Sequence, residues 1–422
     1  MKKIVMLVLF AVYAFGYDAT IEIIKKIDKE PKIAVADCSG GDIDRKIKKR
    51  FLKILIGDLK VTTHFDVSDE YVKLDYDGND GIASLAKNGI ELLMKTKLEQ
   101  SPSGKIVASI KLFNAKNLTQ LYEKFYTISK PDRYLFLAHS ATVDINDYIG
   151  APSVAWMKRY VIFAAYTKPG FSDIIVSDYT LNFRKKIVTG GLNLFPKWAN
   201  DEQDAFYYTS YNGRMPTLFK VDIYTGKKTK IASSQGMIIC SDVSKSGKKL
   251  LVTMAPNDQP DIYLLDLRSG AKKRLTTYKG IDVSGNFVDD ERKIVFISER
   301  LGYPNIFAKS INGGSVEQMV YHGKNNSSCS TSGKYIIYSS REGRNSFGKN
   351  TFNLYLISTQ TDFIRKLTNG GKNLFPRFGD DAQTVLFIKY INSKSALGVL
   401  RLNANKSFLF PLKAGKIQSI DW

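Results

Sequence analysis

The sequence predicts two folded units of different class: a small α/β domain over residues 17–148, and an all-β six-bladed β-propeller over residues 149–422, closed by the C-terminal strand. Three observations predict this. At 422 residues the chain is too long for one compact domain by the usual prior. Glycine recurs at Gly150, Gly191, Gly236, Gly280, Gly323, Gly371 and Gly415, at intervals of 41, 45, 44, 43, 48 and 44 residues. A period in the low-to-mid forties with strand-like content is the signature of a four-stranded propeller blade. The chain before Gly150 has no such period and mixes helix-like with strand-like patterning.

Residues 1–16 read as a secretory signal peptide. Met1-Lys2-Lys3 is a basic start, Ile4–Phe15 is apolar, and Ala14 and Gly16 are the small residues a cleavage site needs. The apolar run is short of the ~20 residues required to span a bilayer. The expected mature protein starts at Tyr17, works outside the cytoplasm and does not itself cross a membrane, which removes nucleic acid as a normal partner.

In the first unit, Ile33–Asp37 reads as a short buried strand. Ile43, Ile47, Phe51, Leu55 and Leu59 then recur at helical spacing with Lys and Arg between them, an amphipathic helix with one core-facing stripe. Val61–Val67 is expected as a second strand, and Ile82–Lys87 as a short helix stopped by Asn88-Gly89. Ile106–Phe113 and Leu121–Ile128 alternate around a polar loop as a hairpin does. Helical periodicity returns through Leu135, Ala138, Val143 and Ile145. Gly40-Gly41 is no phosphate loop, because neither GxGxxG nor GK[ST] follows it.

In the second unit each interval repeats one order of strands. A middle strand (for example Lys249–Met254) is followed by a second (Asp261–Leu267), a glycine turn (Ser269-Gly270) and a Lys/Arg/Thr-rich outer strand (Lys272–Thr276). Seven residues after the repeat glycines stand Trp198, Val243, Phe287, Ser330 and Phe378. The chain ends at Trp422, seven residues after Gly415. The Gly150 repeat leaves little room for an inner strand of its own. The C-terminal strand is therefore expected to complete the first blade, removing the exposed edge of an open ring.

The chain has 62 Lys and Arg against 41 Asp and Glu, a formal charge of +21. The lysines are scattered, so a solvated basic surface and contact with anionic envelope polymers or acidic partners both fit. Cys38, Cys240 and Cys329 lie far apart without metal-ligand spacing and read as buried thiols. The three histidines, His64, His139 and His322, are spread over both units, and no GxSxG or HExxH occurs. Catalysis, a metal site and a cofactor are not expected.

A binding face is expected where the outer strand of one blade connects to the inner strand of the next. The candidate residues are Asn193, Leu194, Phe195, Met237, Cys240, Asp282, Val283, Asn325, Asn326, Asn373, Leu374 and Phe375. Bulky apolar side chains rimmed by amides suit a protein partner. The same apolar residues could instead pack between blades.

The motifs Asn193-Leu-Phe-Pro-Lys-Trp198 and Gln259-Pro-Asp-Ile-Tyr-Leu-Leu-Asp-Leu-Arg-Ser-Gly-Ala-Lys-Lys-Arg-Leu-Thr276, with the repeat layout, resemble the TolB family of the Tol-Pal envelope system. The second motif follows that family's PxIYxxDxxxGxxxxLT strand pair. The WSPDG turn usual in such blades is eroded here to Trp198-Ala-Asn-Asp and Val243-Ser-Lys-Ser-Gly247. The resemblance implies a periplasmic adaptor acting as a monomer. Its propeller mouth would hold a Pal-like outer-membrane lipoprotein, with Met237, Cys240 and Val283 at contact positions. It also implies that Asp18, Ala19, Thr20, Ile21, Glu22, Ile23 and Ile24 engage a TolA-like inner-membrane protein, a stretch whose alternation could add as a strand to another sheet. Switching between the two would link the membranes during constriction. Two other classes stay open: a periplasmic propeller enzyme such as a polysaccharide lyase or hydrolase, and a small-ligand or cation sensor using Asp282 and Asp421.

Overall fold

A computed structural model describes residues 30–41, 43–344, 348–361 and 363–422. The signal peptide and the segment Asp18–Ile24 lie outside the described residues.

The N-terminal unit is a mixed sheet with helices on both faces. Strand β1 (Lys32–Asp37) is followed by α1 (Arg45–Thr62), β2 (Asp66–Val67), β3 (Val72–Lys73), α2 (Ile82–Lys87), β4 (Leu92–Gln100), β5 (Ile106–Asn114), β6 (Thr119–Ile128) and α3 (Leu135–Tyr148). The sheet order is β2-β1-β4-β5-β6, with β3 also on β1. Strand β1 runs parallel to β4, and β4, β5 and β6 are antiparallel neighbours. The Phe51, Leu55 and Leu59 stripe of α1 packs with Ala138, Ala141 and Ile145 of α3 onto Leu98, Ile106 and Ile110 of the sheet. On the other face Ile82 of α2 covers Ala34, Ala36, Leu93 and Phe113.

One expectation fails here, and one strand was not foreseen. Val61–Val67 is not one strand: α1 continues through Thr62 and only Asp66–Val67 pairs with β1. Val61 stays helical and packs on another face of α1, with Val143, Val154 and Trp156. The Thr62 hydroxyl donates back to the Leu59 carbonyl (2.7 Å), and Thr63 turns the chain at φ 64°. Strand β4, absent from the sequence reading, is a central strand. Its alternation is broken by Lys95, fully buried, whose ammonium donates to the carbonyls of Asp75 and Gly78.

The second unit comprises six blades. Blade 1 is assembled from both ends: the C-terminal strand Lys416–Asp421 lies against Val161–Lys168, with Phe171–Ser177 and Arg184–Val188 outside it. Blades 2 to 6 have inner strands Asn193–Trp198, Ile238–Val243, Asp282–Val288, Lys324–Ser332 and Lys372–Phe378. Closure by the C-terminal strand follows the sequence expectation. Blades 5 and 6 are further joined into one sheet, because Phe352 of blade 5 pairs with Lys372 of blade 6. Trp422 completes the closure by donating its ring N–H to the Phe378 carbonyl (2.9 Å).

The two units meet at a buried polar joint. Asp58 of α1 and His139 of α3 pair through Nδ1 and Oδ2 at 2.7 Å. The propeller contributes Tyr179, whose hydroxyl donates to Asp58, and Asp178, whose Oδ2 lies 3.3 Å from His139 Nε2. Phe136 of α3 packs edge-on against Tyr160 and Phe183 beside it.

Candidate functional site at the propeller mouth

The inner strands are not regular. Each carries a bulge where the ladder shifts register, between Leu194 and Lys197, Cys240 and Asp242, Val283 and Asn286, Lys324 and Ser327, Leu374 and Arg377, and Ile417 and Ser419. A bulge frees an N–H from the ladder, and here hydroxyls of neighbouring inner strands take it up. Phe195 N–H donates to Ser419 Oγ (3.2 Å) and Phe375 N–H to Ser328 Oγ (3.1 Å).

At these bulges Phe195 and Phe375 are left-handed, with φ 56° and 54°. A residue with a Cβ loses roughly 1–2 kcal/mol in that conformation. Strain of this kind persists only where its surroundings over-determine it, and it clusters at functional positions. The bulges aim both rings at the channel. Together with Leu374, Ile281 and Val283 they line a cavity of about 340 Å³.

The cavity floor is charged and self-neutralising. Lys197 Nζ lies 3.1 Å from Asp421 and 3.4 Å from Asp242, and Arg377 Nε lies 3.6 Å from Asp421. Burial works against the charge of Lys197, but Asp421 and Asp242 outweigh it and hold its pKa above the usual lysine value. The carboxylates also accept backbone N–H groups, Asp421 from Trp198 (2.9 Å) and Asp242 from Phe287 (2.8 Å). The cluster thus ties the closing strand to blades 2, 3 and 6. Beside it, burial pushes the Cys240 thiol well up and that of Cys329 to about 12, which leaves both poor nucleophiles at neutral pH.

Nine of the twelve residues predicted at the mouth fall into two groups. Phe195, Cys240, Val283, Leu374 and Phe375 line the cavity. Asn193, Asp282, Asn326 and Asn373 lie behind it, each 0–1% exposed, where they hold the blade-to-blade connections. The Asn373 amide donates to the carbonyls of Phe352 and Gly370 (both 3.0 Å), and that of Asn193 to Gly190 (2.9 Å). Asn326 donates to the His322 carbonyl (2.8 Å), and Asp282 is paired with Arg300 at 3.1 Å. Leu194 packs between blades with Ile162 and Phe206. Met237 is half-buried beside the mouth. Asn325, at φ 56°, takes an amide orientation whose oxygen accepts from Arg341 Nη2 (2.9 Å).

Sequence reasoning missed Lys197, Arg377 and Asp242. The first two were visible as one signal, the basic residue after proline in Phe195-Pro-Lys-Trp198 and Phe375-Pro-Arg-Phe378. Among the described residues no group of three or more His, Cys, Asp and Glu is placed to hold a metal. Asp282 and Asp421, the candidate cation ligands, are each already paired with a cation.

Comparison with known proteins agrees with this architecture. The family model described as "TolB beta propeller domain" matches residues 159–422, and that described as "TolB amino-terminal domain" matches residues 19–121. The chain belongs to the TolB family. It is 49% identical over 410 residues to the Tol-Pal system protein TolB of Wolinella succinogenes, covering 97% of each chain. It is 45% identical to the protein of that name from Campylobacter jejuni strain RM1221 over 427 residues, covering all of both. The crystal structure of TolB from Acinetobacter baumannii superposes with a TM-score of 0.75 at 18% identity, over 93% of this chain and 97% of that one, which shows a shared TolB-like fold.

Proposed function

We propose that this chain is a periplasmic protein-binding adaptor of a Tol-Pal system. It would link a TolA-like inner-membrane protein to a Pal-like outer-membrane lipoprotein, supporting envelope integrity and constriction during division. The carrying observation is the apolar cavity at the propeller mouth, with Phe195 and Phe375 held in strained backbone conformations that turn their rings into it. An apolar centre of this size invites an inserted side chain or loop from a protein partner. Family membership supplies the system in which such a partner would be found.

Binding is favoured over chemistry by the state of the ionisable groups. The channel charges are tied into ring closure, the thiols are pushed away from reactivity, and His139 is enclosed in the joint between the units. No helix among the described residues is long and apolar enough to cross a membrane. The adaptor's second contact is tested by truncation. Mature protein lacking residues 17–24 should lose binding to the TolA-like protein and keep binding to the Pal-like lipoprotein, as read by surface-immobilised titration. Unchanged affinity for the TolA-like protein would remove the N-terminal segment from the account.

A further inference from the structure

The charge around the mouth is lopsided. The sheet that joins blades 5 and 6 sets a row in register: Lys324 opposite Arg341, Arg341 opposite Phe352, Phe352 opposite Lys372, and Lys372 opposite Tyr390. With neighbouring strands ~4.8 Å apart, the row runs roughly 20 Å along the rim. Lys416, which opens the closing strand, continues it, its ammonium 4.9 Å from the centroid of the Tyr390 ring.

These cations rest on aromatic rings and amides. Lys372 Nζ lies 5.7 Å from the ring centroids of both Phe352 and Tyr390, and Lys324 Nζ lies 5.8 Å from that of Tyr303. A ring face attracts a cation without neutralising it. Among the described residues, no carboxylate stands within ion-pair distance of Lys324, Arg341, Lys372 or Lys416. The carboxylate next to the row, Glu342, is engaged by Lys366, Tyr355 and Asn353. On blades 2 and 3 the connections to the inner strands, Gly190–Leu192 and Ser234–Met237, carry no charge. The row also shares a strand with the cavity, since Lys372 begins the segment that carries Leu374 and Phe375.

We infer that the protein docking on the mouth presents a cluster of carboxylates beside its apolar plug, and that it seats off-axis with its acidic flank on blades 5 and 6. The inference rests on the protein-binding reading of the mouth. A protein is favoured over an anionic polymer because the row abuts an apolar cavity, and an apolar centre with a polar rim is the anatomy of a protein interface.

The test is stopped-flow association of the mature protein with the soluble domain of the same organism's Pal-like lipoprotein, at ~20 and ~200 mM salt. The variant is K372E/K416E. The control is K227E/K230E, the same change of net charge at exposed positions on the outer edge of blade 2. The variant's association rate should fall about tenfold or more at low salt, its salt dependence should flatten, and its dissociation rate should stay within about threefold. The control should behave like the parent.

Association and salt dependence equal to the control, while Phe375→Asp abolishes binding, would refute the acidic partner and leave the mouth reading intact. Parent-like binding by Phe375→Asp would overturn both. Loss of sedimentation with purified murein sacculi, at unchanged association rate, would overturn the inference in favour of an anionic polymer. Circular dichroism checks the fold, and K324E/R341E, the exposed other half of the row, serves as the second pair if K372E/K416E unfolds.

Discussion

Replacing His139 with Leu should uncouple and destabilise the joint between the two units, with a pH signature that identifies the cause. His139 is fully buried between Asp58 and Asp178. Burial alone would depress its pKa, but the two carboxylates outweigh it and raise the pKa from 6.5 to about 10. A histidine with a raised folded pKa binds its proton more tightly in the folded chain. Its contribution is therefore complete below about pH 6.5 and is lost as pH rises through about 10. Removing one partner of a buried ion pair costs about 3–5 kcal/mol, and burial holds the Asp58 carboxyl above its usual range even beside His139, which offsets part of the histidine's gain. His139→Leu leaves Asp58 with only the Tyr179 hydroxyl, while Asp178 keeps the N–H groups of Phe183 (2.7 Å) and Thr180 (3.2 Å). The assay is calorimetric melting at pH 7 and pH 10. The variant's transition at pH 7 should fall by on the order of 10 °C, and the gap to the parent should shrink at pH 10. A variant melting within about 2 °C of the parent at pH 7, or a gap that does not narrow, would refute the reasoning.

Asn373→Ala should lower stability by about 1–3 kcal/mol in urea unfolding, because it strips hydrogen bonds from the carbonyls of Phe352 and Gly370. Its affinity for a mouth partner, corrected for the folded fraction, should change less than about threefold. Deleting residues 416–422 removes the inner strand of blade 1 and exposes the edge of Val161–Lys168. The truncated chain should aggregate on light scattering, as an uncovered edge strand does. A soluble chain melting like the parent would show that the closing strand is dispensable.

The propeller was legible because its signal is additive: a weak strand pattern repeated at a fixed period locates every blade, and Trp422 falls in register with Trp198 and Phe378. The N-terminal unit was less legible where one residue served tertiary needs. Val61 reads as strand by type but is helical, buried off the main stripe against Val143 and Trp156, and Lys95 hides β4 because its ammonium finds carbonyl partners inside the fold. The candidate residues were placed by their position after the repeat glycines, yet Asn193, Asn326 and Asn373 hold the connections and do not line the cavity. Which residue faces the cavity depends on bulges and left-handed backbone at Phe195 and Phe375. No sequence spacing encodes those. Likewise His139 looks solitary in the sequence, because Asp58 and Asp178 reach it only through packing of α1 and the propeller against α3.

The central claim is that the mouth cavity binds a protein through Phe195 and Phe375. Isothermal titration of mature protein with the soluble domain of the Pal-like lipoprotein, beside Phe195→Asp/Phe375→Asp, tests it directly. Two charges in the apolar centre of an interface should weaken binding about a hundredfold or more, while circular dichroism shows an intact fold. Parent-like affinity in the folded variant would contradict the account and send the partner to another face.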